Sequence, residues 1–141
     1  MVNIIAKAEI TINVPASKVW RALTDPAQIR QYLFGTNAES DWKVGSSITY
    51  RGEWKGKTYI DKGKIIDLIP EKLLATTYWS GMSGLEDKPE NYKKVSYTLS
   101  PAIGGTKLTI TQDNNPSTEA VEESEQNWSA VLESLKNLLE R

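Results

Sequence analysis

Apolar and polar residues alternate strictly near the start of the chain. In "AKAEITINV", every second position from Ala6 to Val14 is apolar, and the positions between them are polar. This period of two is typical of a β-strand with one buried face. At "PASKVWRALTD" the apolar spacing becomes that of a helix, and Asp25-Pro26 ends this helix and begins another. The pattern therefore predicts a strand followed by two short helices.

The middle of the chain carries the signals of several strands separated by Gly, Pro, Asn and Asp. In "SSITYRGEW", alternate residues from Ile48 to Trp54 share one face. The alternation fails at Ile65-Ile66, which a β-bulge would explain. The turn "AIGGT" separates two regular strands and predicts a hairpin. The polar loop "SGMSGLEDKPEN" is a candidate lid or mouth of a site.

The end of the chain predicts a long amphipathic helix after "NNPST". Acidic residues gather near its start and basic residues near its end, as the helix dipole favours. Its apolar stripe runs from Val121 to Leu139 and includes Trp128. Only this helix is long enough to cover the apolar face of a sheet. The expected fold is therefore α+β, with an antiparallel sheet packed on the last helix.

Composition narrows the possible functions. The length of 141 residues suits a single domain spanning 1–141. The chain has 17 basic and 18 acidic residues and a formal net charge of -1, so nucleic acid is not an expected partner. It has no long apolar run and no secretory leader pattern, so we expect a soluble, cytoplasmic protein that does not insert into membranes.

The chain contains no Cys and no His. This excludes disulfides, thiolate nucleophiles, Ser-His-Asp triads and the usual zinc and haem ligand sets. We therefore predict no cofactor and no metal site, and no catalytic residue is assigned. Five Trp and six Tyr accompany a single Phe, so the large aromatic side chains mostly carry a polar tip.

Five local strings carry a resemblance to a known family. They are "ITINVPASKVWRALTDPAQI", "DWKVGSSITYRG", "GKIIDLIPEKLL", "GGTKLTITQ" and the tryptophan of the last helix, Trp128. In this order they resemble the helix-grip superfamily of birch-pollen allergen and steroid lipid-transfer (START-like) proteins. Within it, the chain is similar to the domain homologous to the activator of heat-shock protein 90 ATPase. Asn127 and the pair Tyr32-Leu33 depart from that family's pattern and leave the subfamily open.

The resemblance implies a curved sheet of about six or seven antiparallel strands wrapped around the last helix, with two short helices after the first strand. Relatives hold an apolar cavity between sheet and helix and use it for lipids, steroids, polyketides or aromatic hormones. We therefore expect a small apolar or amphipathic ligand here, with Gly52 on the sheet floor beneath it. The candidate ligand-binding residues are Tyr50, Trp54, Tyr59, Trp79, Tyr97, Ile110, Trp128 and Leu132. Any one of the aromatic residues, taken singly, is better explained by core packing, and Trp128 most of all, so the ligand-binding interpretation rests on the group.

Two other functions remain open. A cofactor-free cyclase-like or hydrolase-like enzyme would use an acid near the cavity. Glu53 should face solvent, whereas Asp61 is either an inward general acid or base or a turn or edge residue. No catalytic constellation is visible, so an enzyme is not favoured. The resemblance also implies interaction with a heat-shock protein 90-type chaperone in a stress response. The eukaryotic activator has an additional N-terminal domain, so this function ranks second, in a monomer or weak dimer.

Overall fold

A computed structural model describes residues 4–54, 56–81 and 83–141, except for the side chain of Trp54. Seven strands and three α-helices follow one another in the predicted order. The elements are β1 (Ile4–Ile12), α1 (Ala16–Thr24), α2 (Pro26–Tyr32), β2 (Asn37–Ser40), β3 (Ser47–Trp54), β4 (Lys57–Ile69), β5 (Leu73–Ser80), a 3₁₀ turn (Pro89–Asn91), β6 (Lys93–Ala102), β7 (Gly105–Asn115) and α3 (Thr118–Leu139).

The strands form one open sheet in the order β1-β7-β6-β5-β4-β3-β2. Every neighbouring pair is antiparallel. The pairing of β4 with β5 shifts register between Ile65 and Asp67, which confirms the bulge. Ala102 pairs with Gly105 across the predicted hairpin, and Gly104 takes the positive φ of 76° that its turn requires. The α+β helix-grip architecture predicted from the sequence is confirmed.

Helices α2 and α3 begin at residues whose side chains cap them. Asp25 Oδ1 accepts a hydrogen bond of 3.0 Å from the backbone N–H of Ala27, and Pro26 takes the first helical position of α2. Ser117 Oγ likewise accepts from the backbone N–H of Ala120 at 3.1 Å at the start of α3. None of the described helices has the length and apolar character that crossing a membrane would require.

Helix α3 lies on β1 and β7 and closes the core on that side of the sheet. The alternation in β1 is reproduced, since Ala6, Ala8 and Ile12 are buried while the polar residues between them are exposed. Fully buried side chains from the two strands and the helix meet in this core. They include Ile12, Leu108, Ile110, Leu132 and Leu135. The first and last parts of the chain are therefore held together by one apolar cluster.

Strand β1 is an edge strand, and α3 also covers part of its free edge. Glu125 Oε2 accepts from the backbone N–H of Lys7 at 2.9 Å, and Glu140 Oε2 accepts from that of Asn13 just after the strand at 2.7 Å. Unpaired backbone groups on an edge strand invite pairing with another chain. The two carboxylates therefore satisfy donors that would otherwise be available to a second strand.

Candidate functional site

A cavity of about 250 Å³ lies between the middle of α3 and the sheet. Strands β3 to β7 each contribute lining residues, and residues 33–36 close one side. Helix α3 packs mainly on β1 and β7, at one side of the sheet. The cavity occupies the space where α3 faces the strands farther along the sheet.

Trp128 forms the helix wall of the cavity and is held by a buried glutamine. Its indole Nε1 donates to Gln112 Oε1 at 3.0 Å. Gln112 Nε2 in turn donates to Ser124 Oγ at 3.1 Å and to Asn115 Oδ1 at 3.2 Å. Gln112 is 6% exposed, and these bonds satisfy its amide, as burial of a polar side chain requires. The network fixes the indole against the sheet.

Opposite Trp128, tyrosine side chains line the strands. The rings of Trp128 and Tyr97 meet edge to face, with centroids 6.0 Å apart and planes at 88°. The side chains of Tyr97 and Tyr50 lie close enough to influence each other's pKa. Burial raises the pKa of Tyr50, Tyr78 and Tyr97 well above that of a free phenol. These phenols therefore stay protonated at neutral pH and offer neutral polar groups inside an aromatic wall.

Asp61 lies in the middle of β4, paired with Tyr50 on β3 and with Ser80 on β5. Its side chain lines the cavity, so the inward placement is correct and the alternative of a turn or edge residue is wrong. Asp61 Oδ2 accepts a hydrogen bond of 2.8 Å from the Tyr78 hydroxyl. Asp61 Oδ1 is buried and has no hydrogen-bond partner among the described residues. Asp61, which lines the cavity, therefore has one carboxyl oxygen without a hydrogen-bond partner among the described residues.

Tyr59 closes the cavity on the β4 side by lying across Gly52 of the neighbouring strand. The two residues are cross-strand partners, and a Cβ on Gly52 would overlap the phenol of Tyr59. The Tyr59 hydroxyl bonds to Thr36 Oγ1 at 2.7 Å, and Thr36 Oγ1 itself donates to the carbonyl of Leu33. The expected role of Gly52 as open floor is wrong, because the space above it holds the Tyr59 ring. Glycine is needed here to admit that ring.

The mouth of the cavity lies beside α2. Phe34 lines the cavity, is 70% exposed and has a positive φ of 54°. The exposed Asn127 lines the cavity from α3. The loop of residues 80–91 was expected to form the lid or mouth, and this expectation is wrong for its described residues. None of them lines the cavity, and Asp87 instead bonds to Lys62 on the opposite face of the sheet.

The eight predicted ligand-binding residues fall into four groups. Lining the cavity are Tyr50, Tyr59, Tyr97 and Trp128. Ile110 and Leu132 point to the same side but are buried in the core, away from the cavity. Trp79 lies on the opposite face, where its Nε1 donates to the carbonyl of Leu85 and the Lys62 ammonium lies 5.6 Å from its ring. The side chain of Trp54 lies outside the described residues.

The polar lining residues that the sequence reasoning missed include Tyr78 and Gln112. Tyr78 lies on β5, whose inward and outward positions could not be told apart from the sequence. The reason is that the bulge in β4 obscures the register between β4 and β5. Gln112 was not noticed, although it continues the inward alternation of Leu108 and Ile110 along β7. That alternation is a signal that could have identified a buried polar residue facing the last helix.

Comparison with known proteins places the chain in a family. Residues 13–140 match the family described as "Activator of Hsp90 ATPase homolog 1-like protein". The chain belongs to this family. No curated protein matches it.

Solved structures of similar proteins have the same fold. A Cytophaga hutchinsonii protein is 44% identical, covers 97% of this chain and 94% of its own, and superposes with a TM-score of 0.84. A Mesorhizobium loti protein is 26% identical, with 98% of both chains covered and a TM-score of 0.78. The Aha1 dimer of Colwellia psychrerythraea is 23% identical over 99% of this chain and 96% of its own, with a TM-score of 0.75, and shows likeness of fold alone.

Proposed function

We propose that this protein binds a small amphipathic molecule with one or two rings in the cavity beneath α3. The observation that carries the proposal is the cavity itself, walled by the aromatic residues Trp128, Tyr97 and Tyr50 and lined also by the polar residues Asp61 and Gln112. Binding sites commonly combine apolar walls with a few convergent polar groups. Family membership supports a ligand-binding or Hsp90-activator-like domain in general, and the cavity favours the first of these.

The size of the cavity favours small ligands. Its volume of about 250 Å³ lies below the roughly 300–1,000 Å³ of pockets that hold drug-sized molecules. A single ring or a fused pair of rings fits this volume better than a sterol or a long acyl chain. Lipid binding, which the resemblance implied, is therefore the less favoured form of the proposal.

A probe panel tests the proposal by titration calorimetry. Indole and 2-naphthol should bind saturably with a Kd of about 100 μM or tighter, which is ~5.5 kcal/mol of binding free energy. Cholesterol and palmitate should bind weakly or not at all, because they exceed the cavity. Absence of saturable binding for every ring probe would contradict the proposal.

A matched pair of variants locates the binding. Val131 lines the cavity from α3, so Val131→Phe should fill it and abolish binding, at a cost in stability of about 1–3 kcal/mol from overpacking. Ala130 is the exposed neighbour on the same helix, and Ala130→Phe should leave the affinity unchanged. Unfolding curves of both variants must remain cooperative for the comparison to count.

Interaction with an Hsp90-type chaperone is the second candidate function. Its support is the family description and the likeness of fold to the Colwellia Aha1 dimer. The ATPase rate of heat-shock protein 90 from the same host should be measured with increasing amounts of this chain. We expect little or no stimulation, because likeness of fold does not by itself carry a partner interaction from one protein to another. A saturable rise of several-fold would reverse the order of the two functions.

A further inference from the structure

We propose that the ligand of this cavity carries a protonated amine, whose ammonium group donates a hydrogen bond to Asp61 Oδ1. The inference rests on the proposed function and names the chemical class of the ligand. Its basis is that Asp61, whose buried Oδ1 lacks a partner among the described residues, lines the same cavity as several aromatic rings.

The first step of the argument concerns hydrogen bonding. Tyr78 already donates to Asp61 Oδ2, and Asp61 Oδ1 is buried without a donor among the described residues. An unsatisfied buried acceptor is costly, and more so when it belongs to an ionisable group. A ligand that brings an N–H or O–H donor to Oδ1 removes this cost when it binds. A ligand with acceptors alone does not.

The second step concerns charge. Among the described residues that line the cavity, Asp61 is the only one with an ionisable acidic or basic group other than the tyrosines. The adjacent Lys62 cannot serve as its partner, because it points to the opposite face and bonds to Asp87. A buried carboxylate is best paired with a cation, and charge-assisted hydrogen bonds are stronger than neutral ones. A protonated amine therefore suits this site better than a hydroxyl group.

The third step concerns the walls. Tyr50, Tyr97 and Trp128 present ring surfaces to the cavity, and an ammonium group is attracted to the negative face of such rings. The hydroxyls of Tyr50 and Tyr97 are neutral at pH 7, as phenols are, and can accept the remaining N–H groups of the amine. The same rings pack on the body of an aromatic ligand. An anionic ligand gains none of these contacts and is repelled by Asp61.

Four probes of nearly equal size test the inference on the wild-type protein. They are 2-phenylethylamine, 2-phenylethanol, the methyl ether of 2-phenylethanol, and 3-phenylpropionate. Calorimetry at neutral pH should rank the amine first, about tenfold or more tighter than the ether. The alcohol should fall between these two, and the propionate should not bind. This series needs no variant and is therefore independent of any folding defect.

Asp61→Asn tests the assigned residue. It should reduce the preference for the amine over the ether to about threefold or less, while the ether still binds. Glu53→Gln is the matched control, since it removes the same charge from an exposed position on the adjacent strand and should leave the tenfold preference intact.

The outcomes separate this inference from the proposed function. Equal affinities for amine, alcohol and ether would overturn the amine inference and leave the cavity as a binding site. Tighter binding of the alcohol than of the amine would overturn it in favour of a neutral donor. An unchanged preference in Asp61→Asn would overturn the role of Asp61. If no member of the series and no ring probe binds, the proposed function itself fails.

Discussion

Replacement of Trp128 by alanine should lower the free energy of unfolding by about 3 kcal/mol, at the lower end of the cost of truncating a core aromatic. The lower end is expected because Trp128 is half-buried and already borders a cavity. The change removes the edge-to-face contact with Tyr97 and leaves Gln112 Oε1 without its donor. Urea unfolding monitored by far-ultraviolet circular dichroism measures the effect without depending on the lost fluorophore.

Two variants control this measurement. Trp128→Phe keeps a ring in the wall but loses the hydrogen bond to Gln112, so its cost should lie between those of wild type and Trp128→Ala. Glu123→Ala changes an exposed residue of the same helix and should alter stability by less than about 0.5 kcal/mol. Equal unfolding midpoints for Trp128→Ala and wild type would show that α3 is not held to the sheet through this side chain.

The fold could be predicted from the sequence because local signals and burial agree along most of the chain. The alternation in β1, the cap at Asp25 and the apolar stripe along α3 each predict one element without reference to the others. Once these elements are known, a single long helix and an antiparallel sheet leave few ways to bury both apolar faces. The break at Ile65-Ile66 was visible as well, because a bulge disturbs the period of two.

The site was predicted only in part. The alternation along a strand shows which face of the sheet a residue occupies, but it does not show how close helix α3 comes to that face. Ile110 and Tyr97 lie on the same face of the sheet, yet one is covered in the core and the other lines the cavity. The distance between α3 and each strand decides between these outcomes, and no local pattern encodes it. Tyr50 and Trp128 were identified correctly as inward residues because their elements have uninterrupted periods.

Trp79 shows that, beyond a β-bulge, the alternation of residues no longer identifies which side chains face inward. Strand β4 shifts its register against β5 between Ile65 and Asp67, so faces cannot be carried from one strand to the next by counting. The sequence reasoning therefore chose Trp79 as the inward aromatic of β5, whereas the adjacent Tyr78 faces the cavity and bonds to Asp61. Trp79 instead packs with Lys62 and the loop after the strand.

Gly63→Ala should be among the most destabilising single-methyl additions in this chain. A Cβ at Gly63 would overlap the backbone carbonyl of Thr77 on the neighbouring strand. Here the backbone N–H of Lys64 donates to Thr77 Oγ1 at 2.8 Å, so the two strands are held close by a side-chain bond near the bulge. Backbone atoms in a paired strand cannot move aside as a side chain can. We expect a loss of about 3 kcal/mol, the upper end of typical overpacking costs.

Gly52→Ala is the matched comparison for Gly63→Ala, because the new methyl group would meet the end of the Tyr59 side chain rather than backbone. Tyr59 can rotate away at the expense of its bond to Thr36, so the stability cost should be smaller, about 1 kcal/mol. The displaced Tyr59 ring also alters the cavity wall, so Gly52→Ala should weaken binding of the ring probes. Gly63→Ala should lower stability but leave the affinity of the folded protein for these probes unchanged. Urea midpoints and calorimetric titration of both variants separate the two effects. Comparable midpoints for Gly63→Ala and wild type would mean that the strands do not approach as closely at Thr77 as described.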